Sequence, residues 1–398
     1  MEMIRRVCYS DIQSIYFSME VKMDITESIT SKNADIWKQK IGEVFDAESV
    51  LVLNAENMPY ISSAGLRVLL HFQKLQTNGR KVRVINASES VMNIMRESGF
   101  LDILDVSSAP REISLENAKL IGKGGTGECW QIADETVVKL YYDFIPESII
   151  ENDKIFSKST FIAGIPTAIS YGIVKCGNRR GIIFEMLNAK TLANEIIQAP
   201  DRIEEFGRKY AQLAKLIHHT KGDAKVFPRW TDNYRNNLAS YSFLDGKEIN
   251  NAEKLLATLN NYDTYVHGDF NPNNIMVSDG ELMLIDMGSF SLGCPLIDLA
   301  SLCFTLCYNN SLSDNEVGEF TGLTGSQQRT LWRIFISEYF SVENNDAAIE
   351  NIPEMKIINQ ILILQAMMIV PAFPQYFSKT FFDKVMTDIH ALLNGGKI

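Results

Sequence analysis

Two patterns of apolar and polar positions follow one another along the chain. SVLVLNA (49–55) reads as a strand, AGLRVLLHFQKLQ (64–76) as a helix stopped by Gly79, KVRVIN (81–86) as a strand and VMNIMRE (91–97) as a helix stopped by Gly99. A short apolar run between turn residues has strand character, whereas apolar residues returning every three or four positions cover one helix face. Such alternation builds an α/β unit, a mixed sheet covered by helices, expected over residues 1–107. SSAPRE (107–112) is polar and carries a proline, which predicts a linker over 108–113. Beyond it AKLIG, ECWQI and TVVKLYY are short runs broken by a glycine-rich turn and by ADE, as in an antiparallel meander. From about residue 191 long amphipathic stretches such as RIEEFGRKYAQLAKLIHH take over. The second unit is therefore expected to be α+β, with a small sheeted lobe (114–190), a helical lobe (191–398) and a cleft between them.

Composition narrows the function without naming it. A chain of 398 residues exceeds one ordinary core, and 46% hydrophobic with 22% charged residues is the make-up of a globular protein. The net charge of -11 argues against a nucleic-acid partner, which needs a basic footprint. The opening MEMIRRVCYSDIQSIY has no apolar run suited to a signal peptide. IINQILILQAMMIV (357–370) is interrupted by Asn359, Gln360 and Gln365 and stopped by Pro371, so no membrane span is expected and a cytoplasmic protein is. The six cysteines, at 8, 129, 176, 294, 303 and 307, lack CxxC spacing and read as reduced, buried small hydrophobes. Cys303 and Cys307 share a helical face, where core packing is preferred over metal because no His or Cys partner lies nearby.

GKGGTG (122–127) fits GxGxxG. In a dinucleotide-binding unit it would open a helix, but ECWQI, a strand, follows; a Walker A loop would close with GK[ST], which is missing. What remains is a strand, glycine loop, strand arrangement in which Gly122, Gly124, Gly125 and Gly127 let backbone N–H groups lie over nucleotide phosphates. Lys139, in the third strand, can reach phosphate oxygens and needs an acidic partner on the following helix: Glu151 first, Glu147 as the alternative.

HGDFNPNN (267–274) and LMLIDMG (282–288) set carboxylates beside apolar strands, where something must compensate them. Asp279-Gly280 is a two-residue hairpin signal, so Ser278 pairs with Glu281 and, counting outward, Asn274 stands opposite Ile285, next to Asp286. These two oxygen-bearing side chains can share a divalent ion, with Asp269 above it as base or orienter for a hydroxyl nucleophile. Mg2+ accepts so sparse a set because phosphates and water complete its shell.

With these motifs, residues 114–398 resemble the aminoglycoside phosphotransferase and choline kinase family, which has the bilobal protein-kinase-like fold: HGDFNPNN matches HGDxxxxN and LIDMG matches IDxG. The resemblance implies Asp269 as catalytic aspartate, Asn274 and Asp286 as Mg2+ ligands, and Lys139 with the 122–127 loop as holders of ATP. It also implies that FEML (184–187), through Glu185 and Leu187, forms the hinge that binds adenine by its backbone, and that His267 and a helix-capping Asp298 brace the catalytic loop. Protein kinases share this chemistry, but they carry Arg where Gly268 stands and a long segment where only nine residues separate Gly288 from Asp298. A small-molecule hydroxyl acceptor is therefore favoured over a protein. The seven acids and no bases in SLSDNEVGEF (311–320) and SVENNDAAIENIPE (341–354) suit an amine-bearing acceptor such as an aminoglycoside or amino alcohol; a solvated acidic face, the preferred reading, explains them as well. His218 and His219 are expected to serve structure at a helix end.

The first unit is similar to a STAS domain of the anti-sigma-factor-antagonist type, on the strand, loop and helix of VLVLNAENMPYISSAGLRVLL. That resemblance implies Ser63 as a phosphoacceptor for a partner kinase, although Asn54 replaces a usual aspartate and Ser62 a usual acid. Ser62 or Ser63 would in any case cap the helix. A protein partner for this domain follows as an expectation. So does an alternative in which the chain is a regulatory protein whose kinase lobe phosphorylates Ser63 or another protein, or only senses nucleotide.

Overall fold

The protein is described by a computed structural model over residues 20–77, 79–259, 261–308, 313–372 and 377–395, and divides into two compact units between Ile113 and Ser114. Cys8 and residues 311–312 lie outside the described residues.

The first unit has four strands, β1 (Glu20–Asp24), β2 (Val50–Asn54), β3 (Arg83–Ala87) and β4 (Asp105–Ser108), in the order β1-β2-β3-β4. Among the described residues all three pairings are parallel. Leu51, Val52 and Leu53 are all buried, the continuous apolar run of a strand covered on both faces. Helices α1 (Ala34–Val44), α2 (Ser63–Leu75), α3 (Glu89–Glu97) and α4 (Phe100–Ile103) supply the cover. Strand β1 and helix α1 add to the elements read from sequence; Ala34, Trp37 and Ile41 form the buried stripe of α1. The stretch 108–113, expected as a linker, falls within this unit: Ser108 closes β4 and Ala109 N–H donates to Ala87 O at 2.9 Å.

In the second unit β5 (Lys119–Lys123), β6 (Gly127–Ala133) and β7 (Thr136–Tyr141) form the expected meander, followed by α5 (Glu147–Ile162) and by β8 (Ser170–Cys176) and β9 (Arg179–Glu185). These strands lie antiparallel in the order β8-β9-β7-β6-β5. The helical lobe is built on α6 (Ile203–His219), whose buried Phe206, Tyr210, Leu213, Ala214 and Ile217 keep helical spacing. It crosses α7 (Gly325–Phe340) at Gly207, where a Cβ would stand 2.7 Å from Ile334, so glycine sets the close approach. Between them lie strand β10 (Tyr265–Val266), the hairpin β11 (Ile275–Ser278) and β12 (Glu281–Leu284), strand β13 (Ser291–Leu292) and helix α8 (Leu296–Cys303). Leu284 N–H donates to Pro166 O at 2.8 Å and its carbonyl accepts from Thr167 Oγ1 at 3.0 Å, which ties the hairpin to the chain leaving α5. Among the described residues no helix is long and apolar enough to cross a membrane.

Candidate active site

The hairpin β11–β12 turns through Asp279 and Gly280, both at positive φ (51° and 79°), the backbone a two-residue Asp-Gly turn requires. Lys209 Nζ donates to Gly280 O at 2.6 Å and pins the turn to α6. Ser278 pairs with Glu281, as the sequence register predicts. The Ile285 N–H donates to Asn274 O at 3.0 Å, so the ladder runs one pair further and sets Asn274 beside Asp286. Asp286 then leaves the strand at φ 62°, a left-handed backbone that Asp tolerates better than most residues and that costs of order 1 kcal/mol.

The loop carrying Asp269 is held from beneath by Asp298. Its carboxylate accepts the backbone N–H groups of His267 and Gly268, each at 2.8 Å, and His218 Nε2–H at 3.1 Å. Asp298 sits in the first turn of α8, whose N-cap is Pro295, so it braces the loop without capping the helix as expected. His218 also meets the Tyr339 hydroxyl through Nδ1 at 2.8 Å, a structural place deep in the core. His267 links loop to hairpin: Nε2 lies 3.1 Å from Ile285 O, an acceptor only, and Nδ1 receives the Asp269 N–H at 3.3 Å. These partners make Nε2 the donor and Nδ1 the acceptor.

Two amides orient Asp269. Asn271 Nδ2 donates to Asp269 Oδ1 at 2.9 Å, and Asn274 Nδ2 to Asp269 Oδ2 at 2.8 Å and to the Asp269 carbonyl at 2.9 Å. Both hydrogen bonds of Asn274 use its nitrogen, which leaves its amide oxygen for a cation. Asn271, almost fully buried, was not singled out by sequence; its place two residues after Asp269 is the only signal.

Across the cleft, Gly127 is required by packing, since a Cβ there would stand 2.5 Å from Leu140 O. Gly124 N–H donates to Gly127 O at 2.9 Å and Tyr142 N–H to Thr126 O at 3.0 Å; a Cβ would meet nothing within 4 Å at Gly125 and only ordinary contacts, at 3.9 and 4.0 Å, at Gly122 and Gly124. Lys139 donates to Asp153 at 3.0 Å and to Asp286 at 2.7 Å. The helix partner is thus Asp153, in place of the expected Glu151 or its alternative Glu147, which pairs with Arg180 at 2.6 Å. The reason is rotational: Ile150, Asp153, Ser157 and Thr160 form the buried face of α5, and Glu151 stands a position aside. That spacing was the signal available in the sequence. At the expected hinge, the Glu185 side chain accepts Ile169 N–H at 2.8 Å and Met186 N–H donates to Glu135 O at 2.9 Å. Leu187 N–H has no hydrogen-bond partner among the described residues.

Electrostatics separate the two carboxylates. Crowding by protein raises the Asp269 carboxyl above its usual range, and the neighbouring Asp286 charge adds to this. The Lys139 ammonium holds Asp286 below that range. Burial works against the Lys139 charge, but Asp153 and Asp286 outweigh it and lift its pKa well above the lysine value. A carboxylate kept ionised beside one with raised basicity is the division of roles expected of an ion ligand and a base. Among the described residues no cluster of three or more His, Cys, Asp or Glu is placed to hold a metal. The donor set here, one carboxylate and one amide oxygen, fits only an ion that completes its shell with phosphates and water, as Mg2+ does.

In the first unit Ser62 caps α2, accepting Gly65 N–H at 3.3 Å, and Ser63 is exposed at the first helical position. Asn54 bridges Asp24 (2.8 Å) and Asn86 (2.9 Å) at the carboxyl ends of β1 to β3.

The STAS domain model matches residues 15–113, and the phosphotransferase enzyme family (APH) model matches residues 165–322, a span that holds Asp269, Asn274, Asp286 and Asp298 but not Lys139. No curated protein matches the chain. Among solved structures, the chain is similar to ADP-bound aminoglycoside phosphotransferase APH(2'')-Ib, at 15% identity and TM-score 0.45, covering 69% of this chain and 92% of that one. It is also similar to amicoumacin kinase hAmiN with AMP-PNP, Ca2+ and Ami, at 11% identity and TM-score 0.48, covering 76% and 93%. A choline/ethanolamine kinase family protein from Mesorhizobium loti is similar at 15% identity and TM-score 0.42, covering 69% and 87%. By its family matches the chain carries a STAS domain followed by a domain of the phosphotransferase enzyme family.

Proposed function

We propose that the second unit transfers the γ-phosphate of ATP to a hydroxyl of a small molecule. The observation that carries this reading is one hairpin end at which Lys139 donates to Asp286 at 2.7 Å and Asn274, set beside Asp286 by the strand register, donates to Asp269 at 2.8 and 2.9 Å. Lys139 and the loop 122–127 hold the phosphates by charge and backbone N–H groups. Asn274 and Asp286 would hold Mg2+, which would supply neutralisation of charge on the phosphate oxygens. The acceptor oxygen attacks the γ-phosphorus, the bond from that phosphorus to the β,γ-bridging oxygen breaks, ADP leaves, and the hydroxyl proton passes to Asp269.

A small acceptor is favoured by the chain after Asp286. Gly268, where protein kinases carry Arg, has φ 80° and a Cβ there would meet Ser289 O at 2.6 Å, so a side chain has no place. Ser291–Leu292 pairs with Tyr265–Val266, so the short chain between Gly288 and Asp298 is tied into a strand pair. The acids expected to suit an amine are partly spoken for: Asp314 pairs with Arg329, and Asp346 with Arg333 at 3.3 Å, both arginines lying on α7. They support the solvated-face reading over a cation-binding wall.

The test is ADP release with Mg2+ and ATP across a panel of aminoglycosides, amino alcohols and sugars. Release that depends on the acceptor is expected. Release with none, together with phosphate found on Ser63 by mass spectrometry, would replace this reading with the regulatory one.

A further inference from the structure

The reading above uses Lys139 and Asp286 but leaves a buried phenol beside them without a role. Lys139 and Tyr141 lie two residues apart on β7, so the strand presents an ammonium and a phenol side by side on one face. Both meet Asp153 of α5: its Oδ2 accepts Lys139 Nζ at 3.0 Å and the Tyr141 hydroxyl as well. The Tyr141 and Asp153 side chains are almost fully enclosed, and Lys139 Nζ stands 5.1 Å from the Tyr141 ring centroid. Ser157 Oγ donates to Asp153 O at 2.7 Å and reaches its Oδ1 only at 3.4 Å, so the helix turn is fixed and Tyr141 is the close uncharged donor to the carboxylate.

We propose that Tyr141 is a positioning residue for nucleotide binding: its hydroxyl locks the Asp153 carboxylate in the orientation that draws Lys139 toward α5 and keeps Asp286 available as an ion ligand. Asp is one methylene shorter than Glu, and the last torsion of its side chain is broad, so the carboxylate needs a second donor to be held in one orientation. A phenol supplies that donor without adding charge. Lys139 has two carboxylate partners, and the one from Asp286 is already the shorter, at 2.7 Å against 3.0 Å. When Asp153 is free to turn, the ammonium moves over to Asp286 and competes with the cation that Asp286 would hold. The expected signature is therefore double: weaker nucleotide binding, and a higher Mg2+ concentration needed to reach it. A role in packing alone would give neither, because Phe keeps the ring.

This inference rests on the assignment of Lys139 and Asp286 to ATP and Mg2+. It is tested by titrating AMP-PNP calorimetrically into the full chain at graded Mg2+. Tyr141→Phe is expected to weaken binding about 10- to 150-fold, the effect of losing one hydrogen bond to a charged group, and to raise the half-saturating Mg2+. In a Lys139→Met background the same substitution is expected to change nothing further. Binding within twofold of wild type at all Mg2+ concentrations, or an equal loss in the Lys139→Met background, would overturn the proposal while leaving the phosphotransfer reading intact. If Tyr141→Phe does not accumulate folded, Asp153→Asn must reproduce both effects, and an unchanged Mg2+ dependence there overturns it equally. Wild-type protein that binds no Mg2+ AMP-PNP at all would remove both readings together.

Discussion

Asn274 Nδ2 donates to Asp269 Oδ2 at 2.8 Å and to the Asp269 carbonyl at 2.9 Å. The residue proposed to hold the ion thus also aims the residue proposed to take the proton. Ion and base cannot move independently, and four changes probe that coupling and its supports.

Asp269→Asn keeps the shape of the side chain but removes the base. Turnover is expected to fall by about 10²- to 10⁴-fold, with Mg2+ AMP-PNP affinity kept within a few fold by calorimetry. The wild-type pH profile of kcat/KM should carry an acid limb above the ordinary aspartate value of 3.8, because crowding by protein raises the Asp269 carboxyl. Activity is lost as pH falls through that raised value. Asp286, held low by Lys139, stays ionised there and adds no second limb. A limb at or below 3.8 would show that Asp269 is not the base.

Asp298→Asn turns one of two acceptor oxygens into a donor facing the backbone N–H groups of His267 and Gly268. With that brace inverted, urea unfolding should show a loss of about 2–4 kcal/mol. Turnover should fall more than nucleotide affinity, since the loop carrying Asp269 loses its support. Equal stability of the variant would mean the brace is dispensable.

Gly268→Ala adds a Cβ at φ 80°, where Ser289 O would lie 2.6 Å away. A destabilisation of about 1–3 kcal/mol is expected from the backbone strain, with turnover reduced. Gly246→Ala, in open space at a helix start, serves as the control and should leave thermal unfolding nearly unchanged.

Glu128, on β6 beside the glycine loop, ordinarily titrates near 4.5 and is held down to about 2 by hydrogen bonds from Lys123 and then Arg179. A depressed folded value means its stabilising contribution is present in full above about pH 4.5 and is lost as pH falls toward 2. Glu128→Gln should therefore flatten the drop in melting temperature between about pH 5 and 3 relative to wild type. A parallel drop in both proteins would show that the ion pairs with Lys123 and Arg179 do not form in solution.

Local chemistry alone made much of this molecule readable. The Asp279-Gly280 turn admits one backbone and the strand repeat is two residues, so the pairing that brings Asn274 beside Asp286 could be counted from the turn outward. The meander, the glycine loop, the helix 203–219 and the two-unit plan followed from apolar spacing for the same reason, because period and turn residues act within a few positions. Tertiary packing decided the rest. Which acid on α5 reaches Lys139 depends on how that helix is rotated against the sheet, and the buried stripe through Ile150 and Ser157 turned Asp153 inward and left Glu151 aside. The roles of Tyr141 and Asn271 likewise rest on contacts that close only when strand, helix and loop are in place, and the need for Gly268 appears only once Ser289 is packed against it.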